Sequence, residues 1–221
     1  MEGNPMNKPS SAPSSPVPPA GGAVPAFTTR DPNTAAFWDE RFRQGFTPWD
    51  QAGVPAAFAA FAARSAPPQP VLIPGCGSAH EALWLARAGW RVHAIDFSAD
   101  AVAAARKQLG PHAALVEQAD FFTYRPPLAP GWIYERAFLC ALPPVRRADY
   151  ASQMASLLAP GGLLAGFFFF DDMPKGPPFG ISRGELDALL GPSFELVEDE
   201  PVADSIPVFA GRERWMTWRR R

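Results

Sequence analysis

Apolar residues in the later part of the chain recur in short runs, and the segments between the runs have the spacing of amphipathic helices. The apolar runs predict strands at residues 71–73, 91–96, 113–117, 132–139 and 163–170. Helices are predicted between them at 81–88, at 98–109 and in the segment that stops at 160–162. Strands that alternate with helices form a mostly parallel sheet covered on both faces. The pattern therefore predicts a doubly wound α/β fold.

The end of the chain departs from this alternation. A helix is predicted at 182–190, where Ser182 precedes the first turn, and two strands follow at 194–198 and 213–218. Two successive strands without an intervening helix form an antiparallel pair. We expect a seven-stranded, mostly parallel sheet with an antiparallel hairpin at its edge.

The first part of the chain has a different pattern. Residues 1–30 are rich in Pro and Ser and have few large apolar side chains, so they predict a disordered tail, with a lid or a partner-binding segment as the alternative. Residues 31–221 are expected to form one domain. In that domain, Asn33 or Thr34 can cap a helix in which Phe37, Trp38 and Phe42 recur near one turn. A loop at 46–51 and a second helix at 55–64 complete the segment.

Composition and charge narrow the classes of function. The 221 residues are 47% hydrophobic and carry 20 Lys and Arg against 22 Asp and Glu, so no basic excess favours nucleic acid. No apolar run approaches the length of about 18 residues that spans a membrane, and the N-terminus lacks the charged-then-apolar order that predicts a signal peptide. Two cysteines without metal-like spacing favour a reduced, cytoplasmic, metal-free protein. The expected partner is a small-molecule substrate, with no nucleic acid, membrane or protein partner indicated.

A glycine-containing loop follows the first predicted strand of the sheet. Gly75 and Gly77 stand between that strand and a helix, where glycine lets the backbone come close to a ligand. Asp96 follows Gly77 by 19 residues, at the end of the second strand, where an acid can bind ribose hydroxyls. Together these residues predict a ligand that contains adenosine. The alternative is a tight turn followed by an acid that caps the next helix.

The residues after the loop favour S-adenosylmethionine among adenosine ligands. A dinucleotide motif needs a third glycine near Glu81, and a Walker loop needs a Gly-Lys-Ser/Thr sequence; the chain has neither. Asp120 and Phe121 follow the third strand and can hold an adenine by its amino group and its face, although an ordinary loop acid beside a core phenylalanine has the same pattern. A nicotinamide oxidoreductase and a non-catalytic cofactor-binding protein remain as alternatives.

Several longer motifs resemble one family of enzymes. They are Phe37-Trp38-Asp39, Thr47-Pro48-Trp49-Asp50-Gln51, Val71-Leu72-Ile73-Pro74-Gly75-Cys76-Gly77, Phe138-Leu139-Cys140-Ala141, Leu158-Ala159-Pro160-Gly161-Gly162, Gly176-Pro177-Pro178-Phe179 and Gly211-Arg212-Glu213. This set resembles the class I methyltransferases of the thiopurine S-methyltransferase family, and most of all its thiol and halide methyltransferase branch. The resemblance implies a Rossmann-like fold and S-adenosylmethionine as the methyl donor.

The resemblance also implies a role for each matching residue. Trp38 and Trp49 would fold over S-adenosylmethionine, while Gly75 and Gly77 would lie against its methionine part. Asp96 would hold the ribose. The remaining implied cofactor residues are Asp120 and Phe121 at the adenine and Arg136 near the reaction centre. Arg136 matches an arginine of the thiopurine enzymes where plant halide enzymes have tyrosine, and Phe42 stands where the family has a second tryptophan.

Elementary chemistry agrees with a methyl transfer that needs little acid–base machinery. Aromatic faces attract a sulfonium ion, and an anionic sulfur or halide can attack its methyl carbon directly once it is positioned. Arg136 is the candidate to orient such a nucleophile. Asp39 and Asp50 are candidates to take a proton from a thiol, although each also fits a helix or turn acid. The apolar residues 167–170, Met173 and Phe179 are expected to surround the mouth of the acceptor site.

The sequence thus predicts methyl transfer from S-adenosylmethionine to sulfur, or to a similar soft nucleophile, on a small molecule such as a thiol or thiopurine. An N- or O-methyltransferase of a secondary metabolite is the alternative with the same fold.

Overall fold

The computed structural model describes residues 25–65, 69–173 and 175–221, and its centre is one seven-stranded sheet. The strands are β1 (Val71–Pro74), β2 (Val92–Asp96), β3 (Val116–Gln118), β4 (Trp132–Arg136), β5 (Leu163–Phe169), β6 (Phe194–Pro201) and β7 (Glu213–Arg220). Their spatial order is β3-β2-β1-β4-β5-β7-β6. The pairs among β1 to β5 are parallel, and β7 runs antiparallel to both β5 and β6. The predicted fold class is confirmed.

Helices cover both faces of this sheet. They are α1 (Ala35–Arg43), α2 (Ala56–Arg64), α3 (His80–Arg87), α4 (Ala99–Leu109), α5 (Arg147–Leu157) and α6 (Arg183–Leu190). Successive residues of β1 belong to opposite layers, because side chains alternate along a strand. Val71 and Ile73 pack with Phe58 of α2, whereas Leu72 packs with Met154 of α5. Burial on both faces explains why the central strands appear in the sequence as continuous apolar runs.

Two predicted strand boundaries were wrong. The strand expected at 113–117 begins only at Val116, because a 3-10 turn occupies Gly110–Leu115 and starts with Gly110 at a φ of +54°, followed by Pro111. The strand expected at 132–139 ends at Arg136, because Ala137 has a φ of +55°. A proline without an amide hydrogen and a residue with positive φ both interrupt strand pairing.

The segment before α1 is bound to that helix. Residues 1–24 of the predicted tail lie outside the described residues, and 25–34, which we call the strap, run across α1. Glu40 of α1 is buried and accepts hydrogen bonds from the amide nitrogens of Thr28 and Thr29, at 2.8 and 2.9 Å, and from both threonine hydroxyls. Phe27 packs against Phe46, with ring centroids 5.3 Å apart. The last residues of the predicted tail are therefore part of the folded domain in this structure.

Within the described ranges, no helix combines the length and the apolar character needed to cross a membrane.

Candidate active site

A cavity of about 160 Å³ lies beyond the carboxyl ends of β1, β2 and β4. From β1 the chain first runs outward to β2 and β3, and then returns to place β4 on the other side of β1. Ligands of doubly wound sheets bind at such a reversal of strand order, because the two loops diverge there and leave a crevice. A second cavity measures about 10 Å³, which is barely the size of a water molecule. The larger cavity is therefore the candidate active site.

The structure brings every cofactor-site residue expected from the sequence to this cavity. Its lining includes Trp38, Trp49, Gly75, Gly77, Asp96, Asp120, Phe121 and Arg136. These residues come from α1, from the loop after it and from the ends of four strands, so their meeting depends on the fold and not on proximity in the sequence.

The glycine loop after β1 approaches the cavity with its backbone. Gly75 and Gly77 have φ angles of +59° and +51°, a region that favours glycine. A Cβ atom on Gly75 would lie 2.5 Å from Cδ2 of Phe138, which itself lines the cavity. Any larger side chain at Gly75 must displace this ring. The loop thus brings the backbone of Gly75 and Gly77 to the cavity wall.

Asp96 is the last residue of β2, and its side chain is buried. One oxygen accepts a hydrogen bond from the amide of Gly77 at 3.1 Å and the other from the amide of Ser98 at 3.0 Å. Burial disfavours the charged form and raises the pKa of Asp96 to about 6, although the backbone hydrogen bonds from Ser98 and Gly77 oppose this shift. The carboxylate connects the glycine loop to the start of α4 and still borders the cavity.

Two tryptophans form part of the cavity wall. The rings of Trp38 and Trp49 meet edge to face, with centroids 5.5 Å apart and planes at 83°. The indole nitrogen of Trp38 donates a hydrogen bond to the carbonyl oxygen of Pro32 in the strap at 2.9 Å. Pro32 and Asn33 also line the cavity. The strap therefore orients Trp38 and contributes to the wall.

Asp120 and Phe121 have the contacts of a turn acid and a core phenylalanine, and both also line the cavity. The carboxylate of Asp120 accepts a hydrogen bond from the amide of Phe122 at 2.9 Å, as a turn acid does, and it lines the cavity. The ring of Phe121 is buried against Phe138 and Tyr150, and it too borders the cavity. Core packing thus fixes an aromatic ring at the cavity wall.

Arg136, at the end of β4, is held by an acid from the neighbouring helix. Its Nη1 lies 2.6 Å from Oε1 of Glu81, and the side chains are 16% and 12% exposed, so water screens the pair only partly. The hydroxyl of Tyr134 donates to the same carboxylate oxygen at 3.2 Å. The positive charge of Arg136 is therefore largely offset within the protein. Its buried Nε has no hydrogen-bond partner in the described part of the chain.

The two acids proposed as proton acceptors have different surroundings. Asp39 accepts hydrogen bonds from the Ser98 hydroxyl at 2.6 Å and from the Asp100 amide at 3.1 Å, so it joins α1 to the start of α4. Asp50 lines the cavity, where it accepts a hydrogen bond from the Ser78 hydroxyl and lies 3.2 Å from Nε2 of His80. Only Asp50 of the two borders the cavity.

The prediction of which residues surround the mouth of the acceptor site was wrong. Phe167 and Phe168 are buried on opposite faces of the sheet, because β5 lies between β4 and β7 and its side chains alternate between the two layers. Met173 is 58% exposed, and Phe179 borders only the small second cavity among the two described here. An apolar run in the sequence identifies a buried strand but not which layer each side chain enters.

The sequence prediction missed several lining residues. They are Pro32, Asn33, His80, Phe138, Ala141, Leu142 and Arg146. His80 could have been found, because it follows the glycine loop directly at the first residue of α3, where a side chain can reach a ligand bound to the loop. The described residues contain no group of three or more His, Cys, Asp and Glu side chains able to hold a metal ion.

Comparisons with known proteins identify the family. Residues 33–221 match the family model of thiopurine S-methyltransferase. Thiocyanate methyltransferase 1 of Arabidopsis thaliana is 30% identical over 190 residues, covering 83% of this chain and 84% of its own. Probable thiol methyltransferase 2 of the same plant is 30% identical over 216 residues, covering 91% and 95%.

The solved structures agree at the level of fold. The Burkholderia thailandensis 1,6-didemethyltoxoflavin-N1-methyltransferase, with bound S-adenosylhomocysteine, superimposes with a TM-score of 0.67 at 21% identity and covers 89% of this chain and 93% of its own. On this fold, and on a family match that covers the whole domain after residue 32, the chain belongs to the thiopurine S-methyltransferase family and is an S-adenosylmethionine-dependent methyltransferase.

Proposed function

We propose that this enzyme transfers the methyl group of S-adenosylmethionine to the sulfur of a small thiol. The observation that carries the proposal is a single cavity in which the glycine loop and Asp96 meet Arg136. The names of two relatives, a thiocyanate and a probable thiol methyltransferase, support a sulfur acceptor.

The residues of the cavity fit the cofactor. We expect Gly75 and Gly77 to lie against its methionine part; a Cβ on Gly75 would push against the Phe138 ring, which lines the same cavity. The Asp96 carboxylate can accept hydrogen bonds from the ribose, and Asp120 with Phe121 can bind the adenine. The faces of Trp38 and Trp49 suit a sulfonium, with about 0.5–2 kcal/mol for each such contact. When bound, S-adenosylmethionine supplies an electrophilic methyl carbon.

The contribution of the protein to the reaction is then mainly positional. The strap and Trp38 exclude water, and the walls hold the nucleophile in line with the methyl carbon. Arg136 can orient the acceptor, although its ion pair with Glu81 leaves little net positive charge there. This charge balance favours an acceptor that arrives neutral over a halide ion. We also propose a reduced, cytoplasmic location, supported by two free cysteines.

A panel of acceptors with radiolabelled cofactor tests the proposal. We expect methylated product with alkyl thiols, thiophenols or thiopurines, less with iodide or thiocyanate, and none with amines or phenols. Thermal stabilisation by S-adenosylhomocysteine but not by NADH serves as the control for the cofactor. Product from an amine or phenol alone would assign the enzyme to N- or O-methylation instead.

A further inference from the structure

His80 and Asp50 form a hydrogen-bonded pair at the cavity wall that the mechanism above does not use. The Nε2 atom of His80 lies 3.2 Å from Oδ1 of Asp50, and the two side chains are 17% and 14% exposed. The second oxygen of Asp50 accepts from the Ser78 hydroxyl, so the carboxylate is fixed from two sides. Both residues line the cavity.

This arrangement leaves one ring nitrogen of His80 available. A neutral imidazole that donates from Nε2 to Asp50 has its lone pair on Nδ1. Among the described hydrogen bonds, none involves Nδ1. The carboxylate thereby selects the tautomer and holds the ring, as a carboxylate does for the histidine of hydrolytic triads.

The other acids at the cavity wall already accept hydrogen bonds or form an ion pair. Asp96 accepts from two backbone amides, Glu81 is paired with Arg136, and Asp120 accepts from the Phe122 amide. Burial raises the pKa of Tyr134 and of Cys76 well above their usual values, so both keep their protons. Within the described residues that line the cavity, His80 is the group best able to accept a proton.

A thiol substrate needs such an acceptor. A free thiol with a pKa near 8.5 is mostly protonated at neutral pH, and methylation of its neutral sulfur would give an unstable sulfonium. We propose, resting on the function proposed above, that His80 is the general base of the reaction and that Asp50 positions it.

The thiol proton passes to Nδ1 of His80, and the sulfur lone pair forms a bond to the methyl carbon. The bond between that carbon and the cofactor sulfur breaks, and its electron pair stays on the sulfur of S-adenosylhomocysteine. The products are a neutral thioether and a protonated His80, which releases its proton to solvent.

The charges around His80 suit this role. The hydrogen bond to Asp50 raises the pKa of His80, and burial lowers it. The negative charge of Glu81 also raises this pKa, whereas the positive charge of Arg136 lowers it. His80 is thus a stronger base than an isolated imidazole, which brings it closer to the pKa of the thiol.

The test compares two acceptors in matched variants. An alkyl thiol is protonated at pH 7, whereas a nitro-substituted thiophenol is already ionised. We expect His80→Gln to lower kcat/KM for the alkyl thiol by about 100-fold or more, the scale of general-base catalysis, and to leave that for the thiophenolate unchanged. His112→Gln, at an exposed histidine, is the control and should change neither.

Two further measurements do not depend on turnover. Calorimetry should give the same S-adenosylhomocysteine affinity for His80→Gln and wild type. NMR titration of the three histidines should show a lower pKa for His80 in Asp50→Asn. A kinetic measurement complements these two, because the pH profile for the alkyl thiol should move to lower pH in the same variant.

Three results would overturn the role of His80. The first is an equal loss of kcat/KM for both acceptors in His80→Gln, and the second is no loss for the alkyl thiol. The third is a loss of activity that is explained by weaker cofactor binding, which would mean that His80 and Asp50 bind the methionine part of the cofactor. A wild-type enzyme that methylates no thiol while it binds S-adenosylhomocysteine would instead contradict the proposed function itself.

Discussion

At the scale of single residues, the carboxylate of Asp96 gives the proposed cofactor site a dependence on pH. Its pKa of about 6 means that it is ionised at neutral pH and becomes protonated just below it. Ribose hydroxyls donate more strongly to the ionised form. We therefore expect the affinity for S-adenosylhomocysteine to fall as the pH decreases through about 6, as measured by calorimetry between pH 5 and 8.

Asp96→Asn provides the matched variant. It keeps an oxygen acceptor but no charge, so affinity at pH 8 should fall by about 1–3 kcal/mol, the contribution of a hydrogen bond to a charged group. The pH dependence below 7 should become flat. The same slope in the variant and in wild type would remove Asp96 from the binding equilibrium.

Glu135 is expected to make the stability of the fold depend on pH. Its buried carboxylate accepts from the amides of Phe138 and Leu139 and from the Tyr150 hydroxyl, at 2.7–2.9 Å. Burial raises its pKa from 4.5 to about 7, against the effect of these hydrogen bonds. The stability that the protonated form contributes is full below pH 4.5 and is lost as the pH rises to about 7, because the unfolded chain releases the proton first.

Glu135→Gln should abolish this loss. Chemical unfolding at pH 5 and pH 8 should show the variant gaining about 2–3 kcal/mol relative to wild type between the two values, at about 1.4 kcal/mol for each unit of pKa shift. If both proteins lose the same stability over this range, Glu135 does not titrate there.

At the scale of elements, the glycine loop and the β4 end are coupled through Phe138. Gly75→Ala introduces a strained positive φ and pushes a methyl group into that ring, which lines the cavity. Gly89, after the end of α3, also has a positive φ, of +82°, so Gly89→Ala introduces the same kind of backbone strain. Its added methyl group would enter open space. Each should lose about 1–2 kcal/mol of stability from strain, and only Gly75→Ala should also lose affinity for S-adenosylhomocysteine. Equal affinities would show that Phe138 yields without disturbing the site.

The elements also show what sequence patterns can and cannot predict. The apolar runs were sufficient to predict the fold class, because the alternation of strands and helices follows from local spacing. The cofactor-site residues were predicted from the loop at Gly75 together with the family resemblance, and the fold brings them to one cavity. The end of β4 was missed because Glu135 binds the amides of two residues beyond the strand, a contact without a periodic signal. The pairing of Asp50 with His80 likewise joins residues 30 positions apart through the fold alone.

At the scale of the whole molecule, the boundary of the folded domain is testable by truncation. Removal of residues 1–24 should leave the melting temperature and cofactor affinity unchanged if they are a tail. Removal of 1–30 takes away Thr28 and Thr29, which leaves the buried Glu40 carboxylate without these donors. We expect a lower melting temperature and weaker S-adenosylhomocysteine binding for the longer truncation only. Loss of binding in the shorter one would mean that 1–24 act as a lid.

The order of strands in the sheet differs from the order in which they are synthesised. β7 lies between β5 and β6 but emerges from the ribosome after both. Until then the edge of β5, with Phe167 and its aromatic neighbours, has no partner, and unpaired apolar edges associate with other chains. We therefore expect the edge of β5 to associate with other chains in any partly folded state in which β7 has not yet paired with it.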